Sequence, residues 1–171
     1  MEDSIKRIDD FAASHNQKQQ GSQLYGEVLS VLKCSSVKAR EVSAKLCNVL
    51  STYMLLYGPG YIEMSFPDFF RYLIDEGDVD KNTGWMTVRK VDLFRKLGHD
   101  ISIVEYKTID GLPEGLYQIK ISNQYGTHFM AGYVIDGILY LADTSWRGVH
   151  VKASDKLKGD TVEWVNQIVH A

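Results

Sequence analysis

The sequence predicts an α+β protein in which N-terminal helices pack on a C-terminal antiparallel sheet. Three observations carry this reading. Apolar residues recur at three- and four-residue spacing from residue 3 to residue 97, and the period then shortens to two. Asp136-Gly137 joins two of the alternating runs as a two-residue hairpin, because a type I′ turn needs positive φ at both positions. A block of helices followed by a block of strands is the chain order of an α+β architecture.

Residues 3–13 place Ile5, Ile8 and Phe11 on one face of a short helix, and the polar residues 14–23 read as a loop. A second helix is expected over 24–32, followed by a weaker stretch at Cys34-Ser35-Ser36. Residues 37–57 carry the strongest helical pattern, through Val42, Leu46, Val49, Leu50, Tyr53, Met54 and Tyr57. No glycine or proline interrupts that run before Gly58-Pro59-Gly60, so one continuous helix is expected. In 65–76, Ser65 is the expected N-cap, Pro67 and Asp68 lie in the first turn, and Gly77 is the stop. Phe66, Phe69, Phe70, Leu73 and Ile74 form the buried stripe. A further helix is expected over 85–97, closed by Gly98.

Strands are expected around Ile101–Ile103, Tyr117–Ile121, His128–Ile135 and Ile138–Ala142, with a short one at Val149–Val151. Residues 161–169 read as a closing helix. The expected organisation is one domain over 1–171: an N-terminal helix and loop (1–23), a helical half (24–98) and a sheet half with its closing helix (99–171).

A chain of 171 residues fits one domain of typical size, and 44% hydrophobic with 24% charged residues is ordinary for a soluble protein. The formal net charge of −3 excludes bulk electrostatic capture of nucleic acid or an anionic membrane, so neither is an expected partner. The two cysteines, Cys34 and Cys47, are separated by mostly helical pattern and read as free thiols, which suits a reducing compartment. The acidic start Met-Glu-Asp-Ser-Ile-Lys is no secretory signal, and no apolar run approaches the ~20 residues that span a bilayer. A cytoplasmic location is expected. His15, His99, His150 and His170 have no metal-ligand spacing, and no glycine-rich phosphate loop is present, so neither metal nor cofactor is expected.

The chemistry-bearing residues are a cysteine, a histidine and an aspartate. A thiol must ionise to attack a carbonyl, a nearby imidazole can take its proton, and a third group must hold that imidazole in place. Pairing 135 with 138 across the Asp136-Gly137 turn brings His128 opposite position 145. Asp143 is then a diagonal neighbour on the same face, within reach of His128.

The stretch from Leu46-Cys47-Asn48 to Leu56-Tyr57-Gly58 resembles the nucleophile helix of papain-like cysteine peptidases, closest to the branch of bacteriocin leader-processing peptidases. Gly126-Thr127-His128-Phe129-Met130-Ala131-Gly132-Tyr133 resembles the family's histidine strand. Ile138 to Asp143 resembles the strand that ends in the residue orienting that histidine. The likeness covers residues 46–146. It implies a papain-like fold and a thiol-dependent hydrolase of a peptide or other amide bond. Cys47 would be the nucleophile, His128 the proton shuttle and Asp143 its orienting partner. A polypeptide or a peptide of the bacterial cell wall is the implied substrate. The resemblance also implies a cleft position for Trp85 and a sheltering position for Trp146 beside the His–Asp pair.

The sequence departs from the family in two ways. No glutamine lies at 39–46 to serve as an oxyanion donor, and the nearest one upstream is Gln23. In addition, a continuous 37–57 helix would put Cys47 in mid-helix. Cys34 is the rival nucleophile. The competing functional reading is a catalytically silent fold acting as a binding or assembly module. Each residue also has a structural alternative: a buried Cys47, a half-buried His128, a turn-capping Asp143, a core Trp146 and a helix-starting Trp85.

Overall fold

The computed structural model describes residues 1–171. Six helices come first: α1 (Glu2–Ser14), α2 (Gln23–Leu32), α3 (Ser36–Ser43), α4 (Cys47–Tyr57), α5 (Phe66–Asp75) and α6 (Lys90–Lys96). Then follow β1 (Ile101–Tyr106), β2 (Gly115–Asn123), β3 (Gly126–Ile135), β4 (Ile138–Ala142), β5 (Val149–Lys152), the short α7 (Ala153–Lys156) and β6 (Thr161–His170). The strands form one antiparallel sheet in the order β1-β6-β2-β3-β4-β5. The expected α+β class, with helices ahead of an antiparallel sheet, is the observed one.

Local chemistry explains most boundaries. Ser22, Ser35 and Ser65 each cap a helix by accepting a backbone N–H, from Leu24 at 3.2 Å, Lys38 at 3.2 Å and Asp68 at 3.4 Å. The weak stretch at 34–36 is therefore a junction. Lys33 ends α2 in the left-handed region at φ 52°, and Ser35 starts α3. Asp136 and Gly137 have φ of 51° and 78°, as a type I′ turn requires, and Ile135 pairs with Ile138.

Three expected elements are corrected. The 37–57 helix is two helices, α3 and α4, broken at residues 44–46. The buried amide of Gln17 donates to the Ser43 carbonyl at 2.8 Å, so a long-range contact takes up a helix-end acceptor. Residues 85–97 are helical only from Lys90. Before that, Val79 bridges to Met86, and Gly84 turns with φ 74° against Leu46. Residues 161–169 form β6, the strand between β1 and β2, not a closing helix. Val162, Val165, Ile168 and Val169 have helical spacing, but the open edges of β1 and β2 give this segment hydrogen-bond partners on both sides.

Two cores lie on opposite faces of the sheet. The larger joins the helices to one face, using Leu50, Met54, Phe69, Phe70 and Phe94 from the helices and Ala131, Tyr133 and Ile168 from the strands. The smaller, on the other face, holds Tyr117, Ile119, Ile121, Met130, Val134 and Leu141 under Leu112 and Leu157. Helix α4 crosses β2 and β3 and is buried without a break from Val49 to Leu56. At the far end of the interface, the Tyr133 hydroxyl donates to Asp9 of α1 at 2.7 Å, and His150 Nδ1 lies 2.6 Å from the same oxygen. No helix is long and apolar enough to cross a membrane.

Gly132 marks a close approach of β3 to its neighbouring strands. A methyl group there would come within 2.8 Å of both Ile119 Cδ1 and the Tyr140 carbonyl oxygen. Because backbone cannot step aside, Gly132→Ala is expected to cost about 1–3 kcal/mol of stability by overpacking. The urea midpoint measures this; an unchanged midpoint would mean that β3 and β4 can separate.

Candidate active site

The break at 44–46 makes Cys47 the first residue of α4. Its N-cap is Leu46, which offers no side-chain acceptor, so the first-turn N–H groups are not quenched by a cap. Cys47 and Asn48 line an open cleft of about 890 Å³ whose walls also include His128 and Trp146. The concern that Cys47 sits in mid-helix is thereby removed.

His128 lies on β3, which packs against α4, and its ring lines the same cleft as the Cys47 thiol. His128 Nε2 is 2.6 Å from Asp143 Oδ1. With Nε2 donating to the carboxylate, Nδ1 is the nitrogen that remains for Cys47. Asp143 does not reach His128 by ladder pairing, which stops at Ala131 opposite Ala142. It reaches from the turn between β4 and β5. There its fully buried carboxylate also accepts the backbone N–H groups of Ser145 at 3.1 Å and Arg147 at 3.3 Å, with Arg147 Nη1 at 3.7 Å.

Electrostatics follow from this geometry. Burial pushes the Cys47 thiol up, but the hydrogen bond and charge of His128, with the backbone N–H groups of Phe129 and Asn48, outweigh it and hold the thiol below its ordinary value. Burial lowers His128, and its hydrogen bonds to Asp143 and Cys47 with their charges reverse this and raise it to about 9. Lys90 stands nearby, 5.4 Å from the Phe129 ring centre. Burial and the charge of Lys120 lower it to about 8, against the pull of Cys47. Each shift of the Cys47–His128 pair favours thiolate beside imidazolium.

Two side-chain amides share the cleft with the thiol. Gln17 lines the cleft from the loop after α1, not from the segment just upstream of Cys47. Its Nε2 donates to Ser43, its Oε1 accepts from Thr144 Oγ1 at 2.8 Å, and its backbone N–H donates to the Thr144 carbonyl at 2.7 Å. The second N–H of that amide is unused by these bonds. Asn48 is held from below: the buried Gln118 donates to Asn48 Oδ1 at 3.0 Å and to Ser51 Oγ at 2.8 Å. This leaves the Asn48 amide NH₂ without a protein partner. Sequence reasoning missed Gln17 because its route to the site is a tertiary one. Its setting in a polar loop gave no local signal.

The other candidates separate clearly. Cys34 packs against the helical core at the α2–α3 junction and does not line the cleft; both cysteines are free. Gln23 begins α2 and is likewise absent from the cleft. Trp85 and Trp146 are 63% and 68% exposed and stand in the cleft wall, so Trp146 is not a core residue and Trp85 starts no helix. No group of three His, Cys, Asp or Glu side chains could hold a metal ion.

The thiolate fraction of a low-pKa cysteine rises with pH through its depressed value, so Cys47 is expected to react with iodoacetamide at pH 7 well ahead of Cys34. In His128→Ala the thiolate forms only nearer the ordinary pKa of about 8.5, and the pH 7 rate is expected to fall roughly tenfold or more. Mass spectrometry of each alkylated cysteine across pH 5–9 measures this. Identical Cys47 profiles in the two proteins would show that His128 does not ionise it. Compared with protein-family models, curated proteins and solved structures, the chain finds no match in any of the three, so what the site can do is read from its own atoms.

Proposed function

We propose that this protein is a papain-like, thiol-dependent hydrolase of amide bonds, acting on a polypeptide or a peptide of cell-wall type within the cytoplasm or wherever it is delivered. One observation carries the reading. Cys47, the first residue of α4, shares one cleft with an imidazole whose Nε2 is held by a buried carboxylate, and the two groups shift each other towards thiolate and imidazolium.

The roles follow from the positions. Cys47 Sγ attacks the carbonyl carbon, and the carbonyl electron pair moves to oxygen. That oxyanion meets the N–H groups at the start of α4 and the spare N–H of Gln17. His128 gives its proton to the leaving nitrogen, the C–N bond breaks, and an acyl thioester remains. His128 then takes a proton from water as the water attacks the thioester, which releases the acid and restores the thiol. Asp143 keeps the imidazole oriented and stabilises its charged form. The alternative of a silent binding module drew on an unbroken helix at Cys47 and on a missing glutamine. The observed helix break and the position of Gln17 weaken both grounds.

The test is a complex peptide mixture incubated with the protein, with new termini read by mass spectrometry. Wild type is expected to cut a reproducible set of bonds and Cys47→Ala none. On the preferred peptide, Asp143→Asn is expected to lower kcat/KM by about 10²–10⁴, and Gln17→Ala to lower kcat by about 10²–10³. The same bonds cut by wild type and Cys47→Ala would end the proposal.

A further inference from the structure

The whole chain is acidic, with net charge −3, yet its cleft is not. Lys18, Lys45 and Lys120 line it, and no aspartate or glutamate does. None of the three lysines is in an ion pair, and the one arginine in the wall, Arg147, is buried and spent on Asp143 and Asp160. Lys18 comes from the loop after α1, Lys45 from the α3–α4 break and Lys120 from β2, so separate elements bring free cations to one opening. Between them stand three large aromatic side chains left in solvent: Trp85, Tyr125 and Trp146, at 63%, 88% and 68% exposure.

We infer that the cleft selects an anionic peptide segment, whose carboxylate side chains meet Lys18, Lys45 and Lys120 and whose apolar side chains lie on Trp85, Tyr125 and Trp146. This deepens, and rests on, the reading of the site as an amide hydrolase. Exposed aromatic surface and unpaired charge at one opening are the usual marks of a binding surface. A low-dielectric wall free of carboxylates focuses the positive field on whatever enters. A nucleic acid strand would also meet lysines and stacking platforms. However, a long polyanion would feel the acidic remainder of the molecule, whereas a short acidic segment meets only the local patch.

The experiment uses full-length Cys47→Ala, which binds without turnover, and fluorescence anisotropy with three labelled probes. These are an octapeptide of alternating Glu and Leu, the same peptide with Lys for Glu, and a single-stranded DNA long enough to extend well beyond the cleft. The acidic peptide is expected to bind at least tenfold tighter than either of the others. Its affinity is expected to fall about tenfold on adding Lys18→Glu and Lys45→Glu, both exposed positions, and to weaken with salt. Equal affinity for the acidic and basic peptides, no binding of either, or tighter binding of DNA would each overturn the inference. The arms stay separate from the catalytic reading. An acidic preference in Cys47→Ala without cleavage by wild type removes the hydrolase, and cleavage without that preference removes only the substrate class.

Discussion

A carboxylate with no access to solvent organises this site. Taking Asp143 out of water costs several kcal/mol unless its oxygens are fully bonded, and the protein meets that demand with donors from several directions. Two are backbone N–H groups of the turn that follows it, which fixes the path of residues 143–147. One is the imidazole of His128, which fixes the ring. Arg147, itself held by Asp160 at 3.1 Å, supplies the countercharge. The same turn presents Thr144 to Gln17 and the Ser145 carbonyl to Asn16 at 3.1 Å, so the loop after α1 docks on it. Trp146 is carried outward into the cleft wall by that path. Satisfying one buried charge thus positions the imidazole, a candidate oxyanion donor and part of the substrate surface together.

The nucleophile's place depends on a break that local propensity does not ask for. Leucine at an N-cap leaves helix-end donors unsatisfied and is a poor choice for stability. Here one of those donors, the backbone N–H of Asn48, helps hold the Cys47 thiolate. The remainder of α4 offsets the loss through its continuous burial against β2 and β3, each large side chain stabilising by roughly 1.5–3 kcal/mol. A local rule broken at the front of a helix and supported by the core behind it is the pattern expected where geometry serves chemistry.

The sequence by itself determined the composition of the two layers and the pairing of histidine with aspartate. Helical spacing up to residue 97, serine caps at 22, 35 and 65, and the Asp136-Gly137 turn act through neighbours in the chain, so they can be read without a structure. The hairpin register brought His128 and Asp143 within reach for the same reason, although the last step is made by the turn and not by the ladder. What only the tertiary structure decided depends on distant partners. Gln17 draws off the Ser43 carbonyl and helps divide a helix that no glycine or proline interrupts. β1 and β2 turn a helically spaced segment into β6 by supplying hydrogen bonds on both of its edges. Lysines from three separate elements meet at one opening of an acidic protein. Propensity and spacing report energies between near neighbours. The end of a helix, the sign of a cleft and the identity of an oxyanion donor are set by contacts across the fold, and these contacts leave no periodic trace in the chain.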